Sequence, residues 1–151
     1  MLVGFYQFTP RFGEVSLNLD RIVARLDQAD ADLIVLPELC ASGYQFVSRE
    51  EAIMLSEPVP SGPTTERLID LAKRRRMTIV AGLPEHAGSA CYNSAVVVGP
   101  SGFIGCYRKT HLFFEETLFF TPGDTGFQVW DIGLAKIGAM ICFDWYYPEA
   151  A

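Results

Sequence analysis

Apolar positions recur along this chain with two periods, near two residues and near three and a half, and their alternation predicts a layered α/β domain. Leu2 to Phe8 reads as a buried strand, and Pro10 to Gly13 as a turn. From Ser16 onward, Leu17, Leu19, Ile22, Val23 and Leu26 return at helical spacing with charges between them. Ser16 suits an N-cap, and the helix is expected to fade near Asp30. The continuous run LIVLP, Leu33 to Pro37, then has the pattern of a strand covered on both faces. The chain therefore opens as β-α-β.

Further on, Glu50 to Ser56 predicts a short helix, and EPVPSGPTT a connection whose threonines suit capping. Leu68, Leu71 and Ala72 mark one face of a second long helix, Thr65 to Arg76. MTIVAGLP reads as a strand, followed by a loop to about Cys91. The runs YNSAVVV and FIGCYRK flank GPSG, a β-hairpin pattern. Phe127 to Ile132 and Lys136 to Cys142, separated by Gly133, suggest another pair of adjacent strands. There is no internal repeat, low-complexity segment or linker. Helices covering a mixed sheet are the expected architecture.

Composition narrows the function classes. A chain of 151 residues is long enough to bury roughly two-thirds of its unfolded surface as one domain. Half of the residues are hydrophobic and a fifth are charged, so the apolar surface invites a subunit contact or further chain to cover it. The net charge of −6 opposes a sequence-independent grip on nucleic acid. The basic run Lys73 to Arg76 closes an amphipathic helix, where cations complement the C-terminal end. No apolar stretch approaches the roughly 20 residues of a membrane crossing, and MLVGFYQFTP lacks the basic start of a signal peptide. A cytoplasmic protein is expected. Cys40, Cys91, Cys106 and Cys142 form no C-x-x-C pair and no zinc spacing with histidine.

Three residues of complementary chemistry follow apolar runs: Glu38 after LIVLP, Lys109 after FIGCYR, and Cys142 at the end of KIGAMI. Strand ends are where open α/β folds build sites. If these ends converge, Glu38 is placed to take a thiol proton. Lys109 and the backbone N–H of Phe143 would stabilise developing negative charge, and a helix after Cys142 would aim its positive end at the thiolate. Each has a structural alternative: Cys142 as a small buried hydrophobe, Glu38 as a loop carboxylate, Lys109 as a surface lysine. His111 raises a Cys-His pair as a further option, against a histidine bonded to the backbone.

The blocks PELCASGY, YRKTHLFFEE and MICFDWYYPEA, in this order and spacing, resemble the three signature blocks of the nitrilase superfamily of carbon-nitrogen hydrolases. The likeness extends through YNSAVVVGPSGFIG and FFTPGD. It implies an α-β-β-α sandwich, with residues 1–151 matching about the N-terminal half of a family domain and ending shortly after the nucleophile block. A fragment, a complementary chain completing the fold, and a defective product all fit that expectation. The resemblance makes Glu38 the general base, Lys109 the stabiliser of the tetrahedral intermediate and Cys142 the nucleophile. Glu116 becomes the additional glutamate, with Glu115 the neighbour if the register slips. Asp144, Pro148 and Glu149 match a pattern that holds the elbow after the cysteine.

The implied chemistry is hydrolysis of a small nitrile or amide to an acid and ammonia through a thioimidate or thioester, with no metal or organic cofactor. Tyr44, Phe113, Phe114, Trp145 and Tyr146 are candidates for the substrate wall. A homodimer or larger homo-oligomer is expected, with no nucleic-acid or membrane partner. Two other readings stand beside this one: a non-catalytic binding or assembly remnant of the fold, and a Cys142-His111 thiol hydrolase of esters or peptides.

Overall fold

The computed structural model describes residues 1–151. Its strands are β1 (Val3–Phe5), β2 (Leu33–Val35), β3 (Thr78–Ala87), β4 (Ala90–Gly99), β5 (Gly102–Arg108), β6 (Val129–Asp131) and β7 (Lys136–Gly138). The α-helices are α1 (Val15–Leu26), α2 (Arg49–Met54), α3 (Pro63–Arg75) and α4 (Glu116–Phe119). Two 3₁₀ turns, Cys142–Tyr146 and Pro148–Ala150, follow β7.

The helix ends differ from the sequence expectation in instructive ways. Ser16 lies inside the first turn of α1, whose cap position is Glu14 with no capping side chain. The loop before it is tied down by the buried Asn18, which donates to the carbonyls of Arg11 and Ala41. At α3 the threonines are not the caps: the backbone N–H groups of Thr64 and Thr65 donate to the Glu57 carboxylate at 3.0 and 3.1 Å. An anionic acceptor there complements the helix dipole as well as the free N–H groups. Glu57 is buried, seven and eight residues before the amides it serves, too far for a local capping pattern to reveal.

Strand order is β1-β2-β3-β4-β5. β1, β2 and β3 run parallel, while β4 is antiparallel to both β3 and β5. Hence β2, β3 and β5 point the same way, and the chain leaves β2 and β5 at one edge. The GPSG turn joins β4 and β5 as expected. The loop expected before Cys91 is instead strand: β3 continues to Ala87 and pairs along its length with β4, leaving Gly88 and Ser89 as the turn. The polar residues that mask this strand are satisfied across the sheet. Glu85 accepts from Ser94 at 2.7 Å and pairs with Arg108 at 2.6 Å.

Side-chain alternation gives the sheet two unlike faces. Ile79, Ala81, Leu83, Val96 and Val98 meet Leu19, Ile22 and Leu26 of α1 and Leu68, Leu71 and Ala72 of α3. Each leucine, isoleucine or valine among them contributes about 1.5–3 kcal/mol relative to exposure. The opposite face is covered only in part. Ala95 and Tyr107 pack with Ile141, flanked by Trp130 and Ala139 around the antiparallel β6–β7 pair. Toward β1 this face is open: Val3, Phe5 and Val35 are 53%, 79% and 40% exposed. Leu2–Phe8, expected as a buried strand, and Leu33–Pro37, expected to be covered on both faces, are therefore shorter and open on one side.

Candidate active site

Glu38 is positioned by a close approach of backbones. The segment Pro37–Leu39, just past β2, crosses β3 at Gly82, where an added Cβ would lie 2.6 Å from Leu39 N and 2.7 Å from the Glu38 Cα. Cys40 N donates to the Gly82 carbonyl at 2.9 Å, fixing the crossing. Leu39 then adopts φ 50°, a conformation L-residues rarely take.

Lys109 follows β5 at the same edge, and its N–H donates to the Asn93 carbonyl on β4 at 2.8 Å. Its ammonium is fully buried and lies 2.7 Å from both Glu38 Oε1 and Glu116 Oε2. Burial alone would lower the lysine pKa, but the hydrogen bonds and charges of Glu116 and Glu38 outweigh it and hold the pKa above its ordinary value. Lys109 is a fixed cation here.

Asn93 closes the arrangement. Its Nδ2 donates to Glu38 Oε1 and to Glu116 Oε1, both at 2.7 Å. Glu116 also accepts from the Phe113 N–H at 2.6 Å, so both of its oxygens carry protein donors. Glu38 receives Asn93 and Lys109 on Oε1 alone, which leaves Oε2 open. Nothing in the sequence reading singled out Asn93. The available signal was a polar amide inside the apolar strand YNSAVVV.

Cys142 reaches this edge from the other sheet. β7 ends at Gly138, and Cys142 begins a five-residue 3₁₀ turn with φ 45°. The α-helix expected to direct its positive end at the sulfur is absent from this segment. Asp144 pins the turn instead: its fully buried carboxylate accepts from Ile141 N at 3.0 Å, His111 N at 2.9 Å and Tyr107 Oη at 2.8 Å. Tyr107 and His111 bracket Lys109 in sequence, so one carboxylate joins the lysine segment to the cysteine turn. Hydrogen bonding to Asp144 and, foremost, burial push the Tyr107 phenol up to about 12.

Glu38 and Cys142 line a common cavity of about 270 Å³, with Val80, Gly82, Ala95 and Ile141. Partial desolvation and the negative charge of Glu38 raise the Cys142 thiol above its ordinary value, opposed by Lys109 and the Phe143 N–H. The resting group is thus a thiol, not the preformed thiolate that a helix end would favour. Cys142 is the only exposed cysteine. Cys40 and Cys106 are pushed up to about 12, chiefly by burial.

A larger cavity, about 370 Å³, is lined by Glu116 and walled by Tyr44, Phe46, Phe113, Phe114 and Phe119. It does not include Cys142, which lines the smaller cavity. The Tyr44 phenol is raised by burial and then by the charges of Glu116, Glu38 and Cys142. Trp145 and Tyr146 are exposed and stack edge to face on each other, outside both walls. Glu115 lines the aromatic cavity but is not in the Lys109 cluster.

His111 does not face Cys142 as a free base. Its Nδ1 lies 2.9 Å from Asp144, its Nε2 3.7 Å from Glu149, and its ring stacks on Tyr147 at 3.7 Å. The backbone acceptor expected for it is a carboxylate instead.

Comparisons with known proteins agree with this architecture. The carbon-nitrogen hydrolase family profile matches residues 2–151. A nitrilase of Pyrococcus abyssi is 47% identical over 152 residues, covering 99% of this chain and 58% of its own length. An N-carbamoylputrescine amidase of Solanum lycopersicum is 38% identical over 148 residues, covering 91% of this chain and 49% of its own. The crystal structure of a CN-hydrolase superfamily protein from Xanthomonas campestris superposes with a TM-score of 0.84 at 26% identity, covering 94% of this chain and 53% of that one. The chain spans about half the length of the curated relatives it matches. Matched from its second residue to its last, and alike in fold to a solved member, this chain belongs to the carbon-nitrogen hydrolase family.

Proposed function

We propose that the chain carries the reacting groups of a thiol-dependent nitrilase or amidase, with Cys142 as nucleophile, Glu38 as general base and acid, and Lys109 and Glu116 as its electrostatic support. The observation that carries this reading is the unequal use of two carboxylates around one buried ammonium. Glu116 has donors on both oxygens, whereas Glu38 keeps Oε2 without a protein donor, and Glu38 and Cys142 line one cavity.

In the proposed reaction, Glu38 Oε2 takes the Cys142 proton as sulfur attacks the carbon of a small amide or nitrile. The raised thiol pKa suits this order, because the base must act during attack rather than before it. With an amide, a tetrahedral adduct forms; Lys109 and the Phe143 N–H stabilise its oxyanion. Glu38 returns the proton to nitrogen, ammonia or an amine leaves, and a thioester remains. Water, deprotonated by Glu38, then releases the acid and restores the thiol. With a nitrile, attack first gives a thioimidate, and one added water expels ammonia to reach the same thioester.

We read residues 1–151 as part of one carbon-nitrogen hydrolase domain. Tyr44 and Phe114, which line the aromatic cavity, are the side chains we assign to substrate contact, with Trp145 outside it. No helix is long and apolar enough to cross a membrane, and a reducing cytosolic compartment would keep Cys142 as a thiol. The open apolar face at Val3, Phe5 and Val35 supports burial against further protein, including a second copy in a homo-oligomer.

Ammonia release from a panel of small nitriles and primary amides, measured on the full-length protein and on Cys142→Ala, tests the reading. Release by the parent and not by the variant is expected. Equal release by both, or none by the parent across the panel, would overturn it and favour a non-catalytic binding or assembly role.

A further inference from the structure

Asn93 is fully buried in the middle of β4, a position that β-strand preferences give to valine or isoleucine. Its Nδ2 has two N–H groups, and each is directed at a different carboxylate at 2.7 Å. Its backbone carbonyl accepts from the Lys109 N–H at 2.8 Å. One residue thus touches all three members of the charged cluster. The orientation of the amide follows from its partners: reversing it would set an oxygen 2.7 Å from two carboxylate oxygens. In the orientation the carboxylates require, Asn93 Oδ1 has no protein partner, and it is the only buried side-chain polar atom of which this is true.

We propose that Asn93 is a positioning residue that sets the division of labour between the two glutamates, holding Glu116 with both oxygens occupied and turning Glu38 so that Oε2 faces Cys142. This rests on the reading of Glu38 as the base for Cys142. The geometry explains why one donor is insufficient. Lys109 alone could bridge the two carboxylates, but a flexible ammonium does not fix which oxygen of each it holds. The planar amide adds a second point of attachment to each. In Glu38 both attachments fall on Oε1, so the carboxylate cannot rotate its free oxygen without breaking two bonds at once. The groups facing the pair are Lys109, Cys142 and Tyr44. Asn93 is an uncharged side-chain donor bonded to both carboxylates, so its removal changes the geometry of the site without changing its charge.

The test is the burst of nitrophenol from p-nitrophenyl acetate, followed from pH 4 to pH 8 in the full-length protein, with Cys142→Ala as background and Glu38→Gln as reference. Asn93→Ala removes both hydrogen bonds; Asn93→Ser keeps a single hydroxyl donor and stays available if the alanine variant does not fold. Bonds from neutral donors favour an ionised carboxylate. Their loss is expected to slow acylation about tenfold and to move the acidic limb of the profile up by about one pH unit for Asn93→Ala, with Asn93→Ser between it and the parent. A merely structural asparagine would lower the melting temperature and leave the shape of the profile unchanged. That outcome, with Glu38→Gln still slowing the burst, overturns the proposal for Asn93 while leaving the role of Glu38 intact. A parent burst no larger than that of Cys142→Ala overturns the proposed function itself.

Discussion

Glu38 and Glu116 are bound to the same ammonium of Lys109, each at 2.7 Å, yet only Glu38 keeps an oxygen without a protein donor. Two residues of identical chemistry are thereby made unequal. Glu38→Gln is expected to lower turnover by about 10²- to 10⁴-fold, the range of general acid-base catalysis. Glu116→Gln, which retains an acceptor for Lys109, is expected to lose about tenfold. Ammonia release at saturating substrate measures both, and the reverse ranking would exchange their roles.

Lys109 neutralises two carboxylates from a fully buried position. Lys109→Met leaves them facing each other across an apolar side chain and is expected to destabilise the fold by about 3–5 kcal/mol. Denaturant unfolding measures this. A change under about 1 kcal/mol, the size expected of an exposed pair, would show that the cluster adds little to stability.

The Cys142 thiol is held above its ordinary value of 9.0 first by partial burial and then by the charge of Glu38. Alkylation of Cys142 by iodoacetamide, followed by peptide mass spectrometry, should therefore reach half its limiting rate above pH 9.0. In Glu38→Gln the neighbouring negative charge is gone, thiolate formation is easier, and the midpoint should move down in pH. An unchanged or higher midpoint would contradict the pairing of Glu38 with Cys142.

Asp144 gathers donors from Ile141, His111 and Tyr107 onto one buried carboxylate. Asp144→Ala strands three of them, each at about 1–3 kcal/mol when left unsatisfied. A loss of several kcal/mol in denaturant unfolding is expected, together with faster proteolysis near Cys142. His111→Ala removes only the ring, keeps the backbone N–H bond, and is expected to lose less than Asp144→Ala.

The parts of this architecture legible in the sequence were those set by local pattern. The β-α-β opening, the GPSG hairpin and the amphipathic face of Leu68, Leu71 and Ala72 come from spacing alone. What sequence did not reveal depends on partners far along the chain. The strand through Glu85 and His86 is disguised by polar residues whose satisfaction comes from Ser94, Arg108 and Ser56. The cap of α3 is a glutamate outside the usual register. The shared edge of Glu38 and Lys109 follows from β2 and β5 running the same way, which requires the sheet order. Asn93 was hidden because a single amide in an apolar run has no meaning until two carboxylates are known to converge on it.

Two carboxylates held against one ammonium leave the Lys109 cluster with a net charge of −1 before any substrate arrives. In the proposed reaction, an amide or nitrile enters the cavity uncharged and feels little of this. The acid made from it ionises at neutral pH and finds itself beside an excess of its own sign, in surroundings that screen charge poorly. In the proposed reaction, the cluster that would help to make the product would also help to drive it out.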